Sequence, residues 1–145
     1  MPPPEENVIA HPCLSRRQVL AAGGAGVGAL ALAGCGTGAE VPRLTGVGSG
    51  DVLVALADVP VDGTYELALG GRRVLVTRGT AGSVAAFDAE CPHQGCTVRA
   101  TDEGLGCPCH GSQFDPATGD VLRGPATSPL TPVAVAVRGD DVVLA

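Results

Sequence analysis

The chain predicts an all-β domain, and three observations carry the prediction. Beyond Asp51 the strand-forming residues gather into runs of four to six positions separated by turn residues. Gly70-Gly71 and Gly139-Asp140 are two-residue hairpin connections between neighbouring runs. No segment there repeats its apolar residues at a helical period for long enough to form a helix. The architecture that follows is an antiparallel β-sandwich, with the stretch from Cys91 to Asp115 as a small lobe set on it.

In chain order the strands are Val52–Leu56, Thr64–Leu69, Arg73–Arg78, Ser83–Asp88, Ser112–Asp115, Val133–Arg138 and Asp141–Leu144. The first is a continuous Val-Leu-Val-Ala-Leu run. Gly70-Gly71 turns the second into the third, and Ser83–Asp88 leads towards the cysteine-rich lobe. Ser112–Asp115 runs into Asp115-Pro116-Ala117-Thr118-Gly119, a turn in which Pro presets φ and Asp offers a side-chain acceptor. Gly139-Asp140 joins the last two strands. With one tyrosine, two phenylalanines and no tryptophan, the core is built from Val, Leu and Ala.

The lobe holds the chemistry. Cys91-Pro92-His93-Gln94-Gly95-Cys96 and Cys107-Pro108-Cys109-His110-Gly111-Ser112 contain four of the six cysteines and two of the three histidines, with 10 residues between the two runs. Two such loops can close on one inorganic centre. Sulfur with imidazole suits zinc, copper and iron–sulfur clusters, whereas calcium and magnesium take oxygen donors. A structural zinc site reads as paired Cys-x2-4-Cys units, or one such unit with His-x3-5-His. Each loop here has Cys, His and Cys in its own asymmetric order, which is not that pattern, although zinc stays a chemical alternative on donor type alone.

Cys-x-His-x-Gly-Cys followed by Cys-Pro-Cys-His-Gly-Ser resembles the Rieske family. The resemblance implies a Rieske fold with a cluster-binding subdomain and one [2Fe–2S] cluster, with Cys91 and Cys107 on one iron and His93 and His110 on the other. It also implies a disulfide between the remaining loop cysteines, Cys96 and Cys109, as in the high-potential members. That bridge would close a loop of about 14 residues and contribute on the order of 3 kcal/mol on the chain-entropy model. Replacing two thiolates by two neutral imidazoles removes negative charge from the centre. It raises the reduction potential from about −400 mV for plant-type ferredoxins to roughly −150 to +300 mV.

Around the ligands, the resemblance places a hydroxyl donor to a bridging sulfide at Ser112 and a proline loop over the cluster at Gly124-Pro125, with Pro125 as its rigid element. Gly111, like Gly95, permits backbone geometry that a Cβ would forbid, and Pro92 and Pro108 stiffen the loops. The highest-potential members carry a tyrosine where this chain has Phe114, so its potential is expected below theirs.

The first third of the chain points to export. Ser15-Arg16-Arg17-Gln18-Val19-Leu20 and the weakly hydrophobic Gly/Ala stretch after it resemble a twin-arginine signal, with Arg16 and Arg17 as the pair. That route carries folded proteins, as a cofactor assembled before export requires, into a compartment where a disulfide persists. Leu32-Ala33-Gly34-Cys35 resembles a lipobox, with Cys35 as the lipidated residue. The other outcome is an uncleaved anchor, since the 22 uncharged residues between Arg17 and Glu40 can span roughly 30 Å of hydrocarbon. Seven glycines among residues 18–39 weaken such a helix and favour the lipoprotein. The expected division is a leader over 1–34, a flexible glycine-rich linker over 35–50 and the Rieske domain over 51–145. Cys13 and His11 precede the arginine pair and receive no role.

The net charge of −6 falls in the part after the leader, because Arg16 and Arg17 cancel Glu5 and Glu6, and no lysine occurs. This excludes an ordinary nucleic-acid binder. The resemblance implies a membrane-tethered one-electron carrier on the extracytoplasmic face of a bacterial cell membrane. It would pass electrons from a quinol-level donor to a cytochrome, as an iron–sulfur subunit of a cytochrome bc-type complex, rather than act as a stand-alone catalyst. The alternative partner is a molybdenum oxidoreductase, with this chain as its small electron-transfer subunit. A Rieske oxygenase needs a mononuclear iron held by two histidines and a carboxylate, and no histidine follows His110.

Overall fold

The computed structural model describes residues 40–145. Arg16, Arg17 and Cys35, with the export, lipidation and anchor expectations that rest on them, lie outside the described residues, as do His11 and Cys13. No helix of the described residues is long and apolar enough to cross a membrane.

Among the described residues there are eleven strands and one short 3-10 turn. The first sheet has the order β1-β3-β4-β5 (Arg43–Leu44, Gly63–Leu69, Arg72–Arg78, Val84–Asp88). The second is β10-β11-β2 (Val135–Arg138, Asp141–Leu144, Val52–Ala55), and the third is β6-β7-β8-β9 (Arg99–Thr101, Gly104–Gly106, Gln113–Phe114, Val121–Arg123). Every strand pair is antiparallel except β1 with β3. The 3-10 turn, Leu56–Asp58, follows β2.

The expected all-β sandwich and its lobe are what the chain builds. The Gly70-Gly71 hairpin pairs Leu69 with Arg72, and both glycines have positive φ, at 57° and 89°. The Gly139-Asp140 hairpin pairs Arg138 with Asp141. Strand β5 continues the wall towards the second sheet. Phe87 bridges Pro132, the Asp88 N–H donates to the Thr131 carbonyl at 2.8 Å, and the Val133 N–H donates to the Ala86 carbonyl at 2.8 Å.

Four strands were not expected from the sequence. Within the segment read as a flexible linker, Arg43 and Leu44 lie alongside Ala68 and Leu69, and the Ala68 and Gly70 N–H groups donate to the Pro42 and Leu44 carbonyls. In the lobe, β6, β7 and β9 are three residues each. Such segments are too short for a period to show, and β7 is Gly-Leu-Gly, which has little intrinsic strand preference. Gly106 is glycine because a Cβ there would come within 2.8 Å of the Thr101 side chain on β6.

The period of two along β4 divides the core. Val74 and Val76 point into one apolar cluster, with Leu53, Val54, Val59, Leu67, Ala86 and Val142. Leu75 points the other way, into a cluster with Phe87, Ala89, Val98, Leu105, Phe114 and Leu130 that also contains Cys91 and Cys107. The central sheet is therefore covered on both faces, and its lobe-side face is the floor of the cysteine–histidine loops.

Candidate metal centre

The two loops adopt the same backbone turn. In the first, the Cys91 N–H donates to the Cys96 carbonyl at 2.8 Å, and the Gly95 N–H donates to the Cys91 carbonyl at 2.8 Å. In the second, the Cys107 N–H donates to the Ser112 carbonyl at 2.8 Å, and the Gly111 N–H donates to the Cys107 carbonyl at 3.0 Å. The fifth residue of each loop is a glycine at φ of 74° or 76°, in the left-handed region where a side chain is strained. The loops look asymmetric when read for Cys and His, yet they coincide when read for backbone hydrogen bonds. Each starts with a cysteine whose carbonyl caps the turn.

Strands deliver the loops. Cys91 follows β5, and the buried Asp88 carboxylate accepts from the Glu90 N–H at 3.1 Å and from Arg72 Nη1 at 2.8 Å, so the entry to the first loop is tied to the central sheet. Cys107 follows β7, and Ser112 leads into β8, so the second loop is the tip of the β7–β8 hairpin.

The turn sorts the side chains. Cys91 and Cys107 are buried, at 1% and 4% exposure, and neither is in a disulfide. Burial pushes the Cys91 thiol above its ordinary value and the neighbouring Cys107 sulfur adds to the rise, while the backbone of His93 and Gln94 draws it down. The Cys91 thiol therefore resists ionising unless a cation lies beside it. The His93 and His110 rings meet edge to face, with centroids 4.8 Å apart and an interplanar angle of 86°. His93 is half-buried and His110 exposed.

Cys96 and Cys109 form a disulfide across a Cα separation of 6.5 Å, stapling one loop to the other. The sulfurs of Cys96, Cys109 and Cys107 lie within 4.8 Å of one another. The two bonded sulfurs are not available as thiolate donors, which leaves Cys91 and Cys107 for a metal. A paired set of buried thiols and a paired set of more exposed imidazoles fits a dinuclear iron–sulfur centre, with sulfur ligands on the inner side and nitrogen ligands on the outer.

The surrounding residues close the site. Ser112 is fully buried, and its Oγ accepts from the Ala126 N–H at 3.0 Å, which fastens the Gly124-Pro125 segment to the second loop and leaves the serine proton free to donate. The peptide bond before Pro125 is cis, and Pro125 itself is exposed. Phe114 is fully buried and belongs to the same apolar cluster as Cys91 and Cys107. Gly111 is half-buried, and its carbonyl accepts from Arg123 Nε at 3.2 Å. Arg123 carries no metal-site signature in the sequence; its position just before Gly124-Pro125 is the one available signal.

Known proteins agree with this geometry. Residues 51–137 match the family model of the Rieske [2Fe–2S] domain. The cytochrome b6-f complex iron–sulfur subunit of Synechococcus sp. (strain JA-3-3Ab) is 34% identical over 122 residues, which are 83% of this chain and 65% of that one. The corresponding subunit of Synechococcus elongatus is 48% identical over 60 residues, 40% of this chain and 33% of that one. The chain thus matches from a third to just under two thirds of the length of these relatives. The crystal structure of the plasma membrane Rieske protein PetC3 from Synechocystis PCC 6803 superposes with a TM-score of 0.51 at 34% identity, covering 57% of this chain and 86% of that one. With the match running through both loops and the strands that carry them, the chain belongs to the Rieske [2Fe–2S] family, and its cofactor is that cluster.

Proposed function

We propose that the protein is a membrane-tethered one-electron carrier in which Cys91 and Cys107 hold one iron of the cluster, and His93 and His110 hold the other. When bound, the cluster supplies a single-electron couple at a potential suited to quinol-level donors. The observation that carries the reading is the gradient of exposure across the site. The two thiols are buried while His110 is exposed and His93 half-buried, so the imidazole edge is the side a redox partner can reach.

The chain's own residues then have separate tasks. The disulfide and the Ser112–Ala126 hydrogen bond hold the loops and the proline segment in place, so that little rearrangement accompanies electron transfer. Phe114 and its neighbours exclude water beneath the thiols. The similarity to cytochrome b6-f iron–sulfur subunits supports a cytochrome as acceptor. The leader reading supports an extracytoplasmic site, with residues 1–34 as signal and the domain starting near residue 51.

EPR spectroscopy of the reduced full-length protein tests the assignment. The expected result is the spectrum of a mixed-ligand [2Fe–2S] centre, lost in His110→Ala and in His93→Ala. A colourless, EPR-silent protein with stoichiometric zinc sinks the proposal. Purification from solubilised membranes should bring a cytochrome with it, whereas a molybdenum subunit in its place redirects the function to the oxidoreductase alternative.

A further inference from the structure

Arg123 differs from Arg72, Arg73 and Arg78 in what its side chain bonds. Arg72 and Arg73 are paired with Asp88 and Glu66, and Arg78 donates to the Leu56 and Val59 carbonyls. Arg123 has no carboxylate within ion-pair distance among the described residues. It lies on β9 opposite Gln113, and it turns back 12 residues along the sequence to donate from Nε to the Gly111 carbonyl at 3.2 Å. Its Nη2 is 3.9 Å from the point a Cβ on Gly111 would occupy. Gly111 follows His110 in the chain, so a guanidinium without an ion-pair partner is held on the second loop at the residue next to that histidine.

Acidic groups also sit beside the loops, and Arg99, on β6 opposite Gly106, is a second cation of the same sheet. Glu90 precedes Cys91, and its Oε1 lies 3.6 Å from where a Cβ on Gly95 would sit, against the first loop. Glu103 accepts a hydrogen bond from the amide nitrogen of Gln113, the cross-strand neighbour of Arg123. In a chain of net charge −6, Arg123 is the cation that bonds the second loop directly.

We propose that Arg123 is a positioning residue that raises the reduction potential of the centre by holding a fixed positive charge on the second ligand loop. This rests on the reading that His110 is a ligand there. A cation favours the state that has gained an electron, and its effect is felt through a region of lower dielectric than bulk water. Because the side chain is exposed, dissolved salt weakens the effect. Arginine suits the task, since one face of its fork bonds the carbonyl while the charge is kept in one place.

The test is an EPR-monitored redox titration of the full-length, cluster-loaded protein and of its Arg123→Gln and Arg123→Lys variants, at about 10 mM and about 1 M salt. At low salt the Gln variant should titrate at a lower potential, its reduced-to-oxidised ratio at fixed solution potential falling roughly threefold. The Lys variant should keep most of the wild-type value, and the difference between Gln and wild type should shrink at high salt. An unmoved Gln variant, or a Lys variant that moves as far as Gln, overturns the proposal while leaving the centre intact. Wild-type protein without the reduced-cluster signal overturns the ligand assignment and this proposal together.

Discussion

Phe114 has no solvent exposure and shares its apolar cluster with Cys91 and Cys107, so a hydroxyl added to its ring is buried. Left unpaired, that group costs about 1–3 kcal/mol. Paired to the sulfur of Cys91 or Cys107, its cluster neighbours, it draws electron density from that sulfur and favours the reduced centre. Phe114→Tyr is therefore expected to raise the midpoint potential on the order of 60 mV, equivalent to about tenfold for a one-electron couple, with the melting temperature nearly unchanged. A lower melting temperature with an unmoved potential would show that the hydroxyl finds no sulfur. At this scale the sequence reveals what the motif spells out, as with Ser112 and Phe114. It conceals contacts that a side chain makes at a distance, as in Arg123 to Gly111 and the Ala126 N–H to Ser112, because neither spacing nor residue type marks them in advance.

Gly119 governs how the turn after β8 meets the sheet. Its N–H donates to the Asp115 carbonyl at 2.8 Å, its own carbonyl accepts from the Leu130 N–H at 2.9 Å, and its φ is +77°. A Cβ there would come within 2.7 Å of the Phe87 ring, which is 3% exposed and packed in the core. Gly119→Ala is expected to cost about 2–4 kcal/mol, from overpacking and left-handed strain together. Urea denaturation measures this, and a cost below about 1 kcal/mol would mean the ring relaxes freely. The contrast among elements has a physical basis. The β3–β4 and β10–β11 hairpins were legible because glycine turns and β-branched runs point to the same structure. In contrast, β6, β7 and β9 are set by packing around the buried Leu105, Cys91 and Cys107, a tertiary demand that three-residue segments do not record. Likewise, β1 forms by adding to an exposed edge of β3, which the glycine-rich composition around it hides.

For the whole molecule, the two apolar clusters respond differently to the cofactor. The one filled by Leu53, Val54, Val59, Leu67, Val74, Val76, Ala86 and Val142 is made of hydrocarbon alone. The other includes Cys91 and Cys107, the two residues proposed to hold iron. A cluster that binds the folded chain and not the unfolded one stabilises the fold by that difference. Its loss also leaves two buried thiols without a metal, one of them already raised in pKa by burial. Removing the iron with acid and chelator is thus expected to lower the melting temperature by roughly 10 °C or more, since a domain of this size loses about 4–8 °C per kcal/mol. The loss should be uneven. Hydrogen exchange on the iron-free protein should show amides of β6 to β9 opening first, while β2, β10 and β11, which surround the hydrocarbon cluster, keep most of their protection. The Cys96–Cys109 disulfide remains after the iron has gone and limits how far the loops separate, so reducing it should extend the opening to the end of β5, where Asp88 holds the first loop to the central sheet. Equal loss of protection in all three sheets would instead mean that the lobe and the sandwich unfold as one unit.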